Sequence, residues 1–308
     1  MAGPLTARAQ AYPVRLIKLI LPYTAGSPND VLARFIAPHL SVRLKQPVIV
    51  ENRSGGGTSI GAKAVMAAEP DGYTLLFSNG PTHVIAALGH PSAGYDPLRD
   101  FAPVAMVGSS SLVMVIAPAV PASSVQEFVA HAKAHPGKLN FGFGQGTLPH
   151  LTGELFKVAT GTDIVSVPYR GGAQAVSDML GGRIEMNFGS GSTLLPLVRQ
   201  GKLRALAVTS PARSPAQPEL PTMIESGLPE VTVVTHYGIL GPAGLPAQVI
   251  DILNRAVNDS LGAADLRANM SKIGFEPVGG SAGDFAAVIG SDRRKWAPIA
   301  KTTGFQME

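Results

Sequence analysis

The strongest constraint on this chain is its rhythm. Short apolar runs alternate with stretches of helical periodicity, beginning with "LIKLIL" at 16–21 and "VLARFIAPHL" at 31–40. Strands are expected at 16–21, 47–51, 73–78, 104–107, 112–117, 139–142, 164–167, 184–188 and 204–208. Helices are expected at 28–44, 59–68, 149–160, 173–181, 193–200, 247–261, 264–273 and 282–301, and through "SSVQEFVAHAKAHPG". In that last stretch Ser123 or Ser124 serves as N-cap and Pro136-Gly137 as the stop. Strands separated by helices argue for an α/β fold with parallel sheets covered on both faces. The serine-rich "GSSS" at 108–111 reads as a turn between two strands.

Open sheets of this kind bind ligands at the carboxyl ends of their strands. The loops that follow strands are therefore the candidates: 22–29, 79–83, 143–147, 168–172, 189–192 and 236–237. They are rich in Gly, Ser, Thr and Asn. Such loops expose backbone N–H groups at helix N-termini, where an anion is stabilised.

Composition narrows the function. The chain has 308 residues, enough for two modest domains with ample core. Its net charge is only +4, and no Lys/Arg cluster is interleaved with aromatics, which argues against a nucleic-acid surface. Cysteine is absent, so disulfides, thiolate metal sites and cysteine nucleophiles are excluded. No apolar run reaches membrane-spanning length. At the N-terminus "AQA" (9–11) matches a small-x-small cleavage site, so 1–11 reads as a signal-peptide remnant or a disordered start.

Enzymatic motifs fail one by one. "GGTSIGAK" (56–63) misses the phosphate-loop pattern by one position, and "GFGQGT" (142–147) lacks the third glycine of a dinucleotide fingerprint. No G-x-S-x-G elbow occurs. His131 and His135 have the spacing to grip a metal, but they sit at a fraying helix end. His150 and Glu154 share a helix face and are the only acid–base pair an enzyme reading could use. Asp30 and Arg34, also four apart, read as a helix-stabilising pair. No cofactor or metal is expected.

A set of blocks then occurs in order: "LIKLILPYTAGSPNDVLARFIAPHL", "QPVIVENRSGGGTSIGAKAV", "EPDGYTLLFS", "YDPLRDFAPVAMV", "HPGKLNFGFGQGTLPHLTGELF", "VPYRGGAQAVSDMLGGRIEMNFG" and "YGILGPAGLP". Together they resemble the periplasmic solute-binding receptors of tripartite tricarboxylate transporters, also called the Bug family. The resemblance covers roughly 12–296.

It implies a two-lobed periplasmic-binding-protein fold of class II topology, each lobe a mixed sheet flanked by helices. One lobe would comprise 12–114 plus 236–308 and the other 115–235. Residues 1–11 would be left over. The implied function is an extracytoplasmic receptor that captures a small carboxylate in the interlobe cleft by hinge closure and delivers it to membrane transporter subunits. A periplasmic location, a monomer, no nucleic-acid partner and no catalysis go with it. A ligand sensor for a membrane signalling partner and, further off, an enzyme on the same scaffold are the alternatives.

The resemblance also implies a carboxylate grip made by backbone groups and waters. The ligand-binding positions are then Tyr23, Thr24, Ala25, Gly26, Ser27 and Asn29 in the first loop, and Ser78, Asn79 and Thr82 after the third strand. From the other lobe come Gly144, Gln145, Gly146, Thr147, His150, Tyr169, Gly189 and Ser190, and from the junction His236. Three departures from the family bear on the ligand. Where relatives often have a Gly-Gly pair followed two residues later by Asp, this chain has Gly26-Ser27 and then Pro28-Asn29-Asp30, and Ser27 brings a hydroxyl. Relatives commonly carry an acid where this chain has Gly189, and Trp where it has His236. Glycine cannot hold an amine and leaves room, which favours a dicarboxylate, with an aromatic body admitted. His236 is expected either to read the far end of the ligand, its pKa raised by a carboxylate, or to pack at the junction.

Overall fold

The computed structural model describes residues 12–89, 93–214 and 217–303, the side chains of 81, 82, 302 and 303 excepted. The expected processing remnant at 1–11 lies outside the described residues.

Strand β1 (Ile17–Leu21) leads through the first loop into α1 (Pro28–Leu44), then β2 (Val48–Asn52), α2 (Ser59–Met66) and β3 (Thr74–Asn79). A wide turn (Pro81–Ile85) and α3 (Ala86–Gly89) precede the long strand β4 (Phe101–Ile116). Next come α4 (Val125–Ala134), β5 (Asn140–Gly144), α5 (Leu148–Thr160), β6 (Val165–Tyr169), α6 (Gly172–Leu180), β7 (Met186–Ser190), α7 (Gly191–Arg199) and β8 (Arg204–Val208). The chain returns through β9 (Val234–Pro242) to α8 (Ala247–Leu261), α9 (Ala264–Lys272), β10 (Glu276–Pro277) and α10 (Ala282–Thr303).

Local chemistry explains the boundaries. Helix α1 starts where Ser27 accepts a hydrogen bond from the Asp30 N–H at 3.3 Å and Pro28 occupies the first turn. It stops at Lys45 in the left-handed conformation (φ 54°). Helix α4 is capped by Ser124, which accepts from the Glu127 N–H.

Eight strands follow the order β2-β1-β3-β9-β4-β7-β5-β6, with β8 and β10 paired to β4 off this path. Pairs β1–β2, β1–β3, β5–β6 and β5–β7 are parallel, as the rhythm predicts. Every pairing of β9 and β4 is antiparallel, so the sheets are mixed rather than all parallel.

Two expectations are corrected here. The "GSSS" stretch is not a turn: β4 runs straight through it, and Ser109, Ser110 and Ser111 pair with His236, Thr235 and Val234 of β9. Serines carry no obligatory turn conformation, and the β9 ladder supplies the hydrogen bonds a turn would otherwise make. Second, 236–237 is no loop after a strand but the start of β9 itself. From Leu112 onward β4 changes partners, to β7 and β8. One strand thus belongs to two sheets, and the chain leaves the first at 111/112 and re-enters it at Val234.

The core divides accordingly. One cluster sets Leu19, Leu21, Leu75, Phe77 and Ile239 against α1, α8 and α9. The larger one spans Phe128, Phe141, Phe156 and Phe188 and continues into Phe285, Ile289 and Trp296 of α10, which therefore packs on both sides of the crossing.

Candidate ligand-binding site

The ladder registers put the expected site residues in one row. Asn79 pairs with Tyr237, Ser109 with the adjacent His236, and Leu112 with Ser190. Beyond them Gly144 pairs with Tyr169, and β5 and β7 lie side by side through Phe141 and Met186. The row marks the carboxyl ends of β3, β7, β5 and β6 where the two sheets meet. The N-termini of α5, α6 and α7 start from it, and that of α1 starts from the loop bonded to Asn79.

On the first sheet the loop 22–29 is held rigidly. Tyr23 donates from its hydroxyl to Asn79 Oδ1 at 2.6 Å, and Asn79 Nδ2 donates to Asn29 Oδ1 at 2.9 Å. Asp30 is buried and draws the loop inward. It accepts from the Gly26 N–H, from Arg34 Nε and from Asn52 Nδ2, each at 2.9 Å. Burial raises the Asp30 carboxyl, but these bonds outweigh it and bring its pKa down to about 2. Asp30 is thus scaffolding. Gly26, at φ +80°, adopts a conformation that favours glycine. Asn52 was not among the expected residues. It also donates to the Tyr23 carbonyl at 3.0 Å. It ends a strand in the same row, so the rule that named the other loops applies to it equally.

On the second sheet the loop 144–147 is tied by the Thr147 hydroxyl donating to the Gly144 carbonyl at 2.7 Å and by the Gln145 N–H donating to the Tyr169 carbonyl at 2.9 Å. At Gly144 a Cβ would lie 3.1 Å from the Gly172 nitrogen and 3.3 Å from Thr147 Cγ2, so a side chain fits only if the loop gives by a few tenths of an ångström. The Tyr169 hydroxyl donates to Asp178 at 2.8 Å. Ser190 lies within 2.9 Å of Ser192 and 3.2 Å of Thr193 through hydroxyl oxygens.

His150 is buried with its ring flat on Phe143, centroids 4.0 Å apart. Burial lowers its pKa. Glu154 accepts from Ser166 and pairs with Lys157 at 3.1 Å. The pair is packed and engaged, so no acid–base role is assigned to it. The rings of His131 and His135 lie 4.4 Å apart between centroids at a 41° tilt, and among the described residues no cluster of three metal-ligating side chains occurs. Thr82 lies in the turn after β3, its side chain outside those described.

Gly189 requires a correction. The space its missing side chain leaves is not open: a Cβ there would meet Leu194 Cδ1 at 2.8 Å and Asn187 Oδ1 at 3.2 Å. The glycine lets α7 pack close and makes no extra room for a ligand. Burial holds the His236 ring below the ordinary histidine value in the absence of a ligand carboxylate.

A cavity of about 660 Å³ opens at His236. Ser109, Ser111 and Val234 floor it, with Leu195 and Arg199 of α7, Ser210, and Lys272 at the end of α9 around it. The two anchor loops do not line it.

Several buried polar atoms at the junction have no hydrogen-bond partner among the described residues: Ser78 Oγ, both ring nitrogens of His83 and His236 Nδ1. Burial, helped by nearby His236, drives the His83 pKa down to about 3. Asp292 on α10 stands 3.7 Å from where a Gly80 Cβ would be, and burial raises it to about 7 against a smaller opposing effect of Lys295. Lys295 donates to the Thr232 carbonyl.

These two groups give stability opposite pH slopes. Folded His83 stays neutral above about 3 while the unfolded chain takes up its proton near 6.5, so stability from this group rises with pH across that window. Folded Asp292 holds its proton up to about 7 against 3.8 unfolded, so stability falls as pH rises through that interval. Each contributes at most about 1.4 kcal/mol per pH unit. In urea unfolding between about pH 4.5 and 7, His83→Leu should make the slope of stability against pH less positive and Asp292→Asn should make it more positive. Parent-like slopes in both variants would contradict the assignment.

Two mixed sheets sharing a strand, with loops and helix N-termini converging on the crossing, define a two-lobed solute-binding fold. The comparisons agree with this geometry. The profile described as tripartite tricarboxylate transporter family receptor matches residues 32–305. Protein BugT of Bordetella pertussis is 36% identical over 100% of this chain and 94% of its own length. The solved structure of Rhodopseudomonas palustris Rpa4515 with adipate is 33% identical, with a TM-score of 0.81 over 96% of this chain and 99% of that one. MatC of the same organism with bound malate is 27% identical, with a TM-score of 0.77 over 94% and 99%. The chain belongs to the tripartite tricarboxylate transporter receptor family and is a solute-binding protein of the Bug type.

Proposed function

We propose that the chain is an extracytoplasmic, monomeric receptor that captures a small dicarboxylate between its two lobes and hands it to the membrane subunits of a transporter. The row of strand ends carries this reading. It converges two rigid, uncharged loops, each leading into a helix N-terminus, on one crossing. A carboxylate oxygen can accept several N–H bonds there without a cationic side chain, directly or through water. The adipate and malate complexes of the two R. palustris relatives support a dicarboxylate.

The proposed contacts from one side are Tyr23, Thr24, Ala25, Gly26, Ser27 and Asn29, with Ser78, Asn79 and Thr82. From the other they are Gly144, Gln145, Gly146, Thr147 and Ser190, and His150 and Tyr169 support that loop. His236 lies between. The lobes, 12–114 with 236–308 and 115–235, close about the β4–β9 crossing. Gly189 bears no acid, so the ligand carries no ammonium group.

The experiment is a thermal-shift panel of linear dicarboxylates of four to eight carbons, citrate, phthalate isomers and acidic amino acids. The expected result is the largest rise in Tm with a dicarboxylate, about 2–4 °C per kcal/mol of linked binding energy for a chain of this size. A clear preference for an amino acid would overturn the dicarboxylate reading.

A further inference from the structure

We propose that the cavity beside the crossing of the two sheets is a second binding site, separate from the ligand cleft, for a small monoanion on an apolar body: an aromatic sulfonate or a medium-chain carboxylate. It goes beyond the receptor function proposed above and does not depend on it.

The ladder registers separate the two sites. Ser109 and Ser111 of β4 pair with His236 and Val234 of β9, so these four side chains share one face of the ribbon. They floor the cavity. The anchor residues fall on the other face: Asn79 pairs with Tyr237, and Ser190 with Leu112, each one position away. The walls come from both sheets. Helix α7 forms one, and the end of α9 with the turn before β10 forms the other. They already meet, since a Cβ on Gly274 would stand 3.9 Å from the Ser192 nitrogen.

The floor carries a free backbone donor. The Leu112 N–H donates to Thr209 Oγ1 and its carbonyl accepts from the Thr209 N–H, each at 2.9 Å. Thr209 also bonds Val233 through its hydroxyl and its carbonyl, so it fills the rung between β4 and the approach to β9. Successive residues of an extended strand direct their backbone groups to alternate edges. The Ser111 N–H and C=O therefore point to the opposite edge of β4, where β10 and β7 lie. The β10 ladder stops at Ser109 and the β7 ladder starts at Leu112, so neither strand covers Ser111. An N–H left at such an edge calls for an acceptor, and the Ser109 and Ser111 hydroxyls stand beside it.

Charge and apolar area define the occupant. Arg199 of α7 and Lys272 of α9 line the cavity from exposed positions. Arg213, also in the lining, is engaged by both carboxylate oxygens of Glu225 at 3.0 Å. Glu276 is the acid among the described lining residues, and burial keeps His236 uncharged at pH 7. Two free cations against one acid leave a single positive charge, which suits a monoanion. Between them lie Val113, Val208 and Leu195, all buried, which suit an apolar body. A cavity of about 660 Å³ with an apolar lining and a few placed polar groups has the size and make-up of a small-molecule site.

The experiment titrates the folded chain with anilinonaphthalene sulfonate, an apolar body bearing one sulfonate, and reads its fluorescence. Saturation at one probe per chain is expected, with the same capacity when adipate is present in large excess. Arg199→Ser combined with Lys272→Ser should weaken the probe about fivefold or more. Val234→Phe fills the floor and should abolish saturation. Thermal melts check both folds, and the charge variant decides if Val234→Phe unfolds. Displacement of the probe by adipate would place it in the ligand cleft and overturn the proposal. Unchanged affinity in the charge variant, or saturation kept in folded Val234→Phe, would also overturn it. So would fluorescence that rises without saturating, the mark of an adventitious additive only. The receptor function is decided by the dicarboxylate panel and is untouched by these results.

Discussion

Replacing Asp30 by alanine is expected to cost about 3 kcal/mol of stability and to weaken ligand binding by tenfold or more. The carboxylate is 3% exposed and takes three hydrogen bonds, from Gly26, Arg34 and Asn52. Hydrogen bonds to a charged partner contribute more than neutral ones. Truncation leaves the Gly26 N–H without its acceptor and the Asn52 amide with only the Tyr23 carbonyl. The loss stays at the lower end of the range for broken buried pairs, because the Arg34 side chain is 51% exposed and its charge remains hydrated. Affinity falls because Gly26 is in the anchor loop, and a loop released there must be reordered by the ligand. The pH signature is distinct. Folded Asp30 has its pKa depressed to about 2, so its contribution is present above 3.8 and fades as pH falls toward 2. The variant should lose less stability on acidification than the parent, as read by urea unfolding. An Asp30→Ala protein with parental stability would remove Asp30 as the loop's anchor.

Gly153→Ala should destabilise by about 2–3 kcal/mol, although alanine is the better helix former by about 1 kcal/mol. Gly153 lies in α5 where a Cβ would sit 1.9 Å from Phe141 Cε1 and 2.0 Å from its Cζ. Phe141 cannot yield. It is fully buried, with Phe143 at 4.8 Å and Phe188 at 6.3 Å between ring centroids. Packed interiors do not absorb a methyl group without backbone movement. The movement would fall on β5, whose end carries the second anchor loop. Gly290→Ala in α10 is the counterpart of opposite sign. Its Cβ would meet only Arg294 Nη1 at 3.5 Å and Leu98 Cδ1 at 3.9 Å, which is ordinary contact. It should stabilise by about 0.5–1 kcal/mol. Equal effects of the two substitutions in urea unfolding would show that helix propensity, not the α5–β5 contact, decides.

Much of this was legible before the structure. Helices 28–44 and 247–261 and strand 204–208 fall on the expected boundaries. Caps such as Ser27 and the early Pro28 mark them locally. The strand β9 was not legible. Its residues are buried on both faces, and His236, Tyr237 and two glycines break any simple alternation. "GSSS" reads as a turn because its extended form is imposed by β9, which lies over a hundred positions away in the chain. The strand–helix rhythm alone gives parallel sheets, and the mixed sheets were expected only from the family resemblance, because antiparallel pairing here depends on a strand that carries no local signal.

The candidate site was read as positions and not as contacts, from the rule that ligand loops follow strands. It gave no sign that Tyr23, Asn79 and Asn29 bond to one another, that the Tyr169 hydroxyl is used by Asp178, or that Leu194 occupies the space beside Gly189. Those depend on side chains brought together from distant segments. The cavity beyond His236 combines α7, α9 and the β4 serines, and no motif marks it.

The most direct test of the receptor reading is isothermal titration of the purified chain with linear dicarboxylates of four to eight carbons, followed by mass spectrometry of the recovered ligand. One dicarboxylate should bind per chain at about −8 kcal/mol, a micromolar Kd, and be returned unchanged. No heat with any dicarboxylate, or a ligand recovered chemically altered, would contradict it.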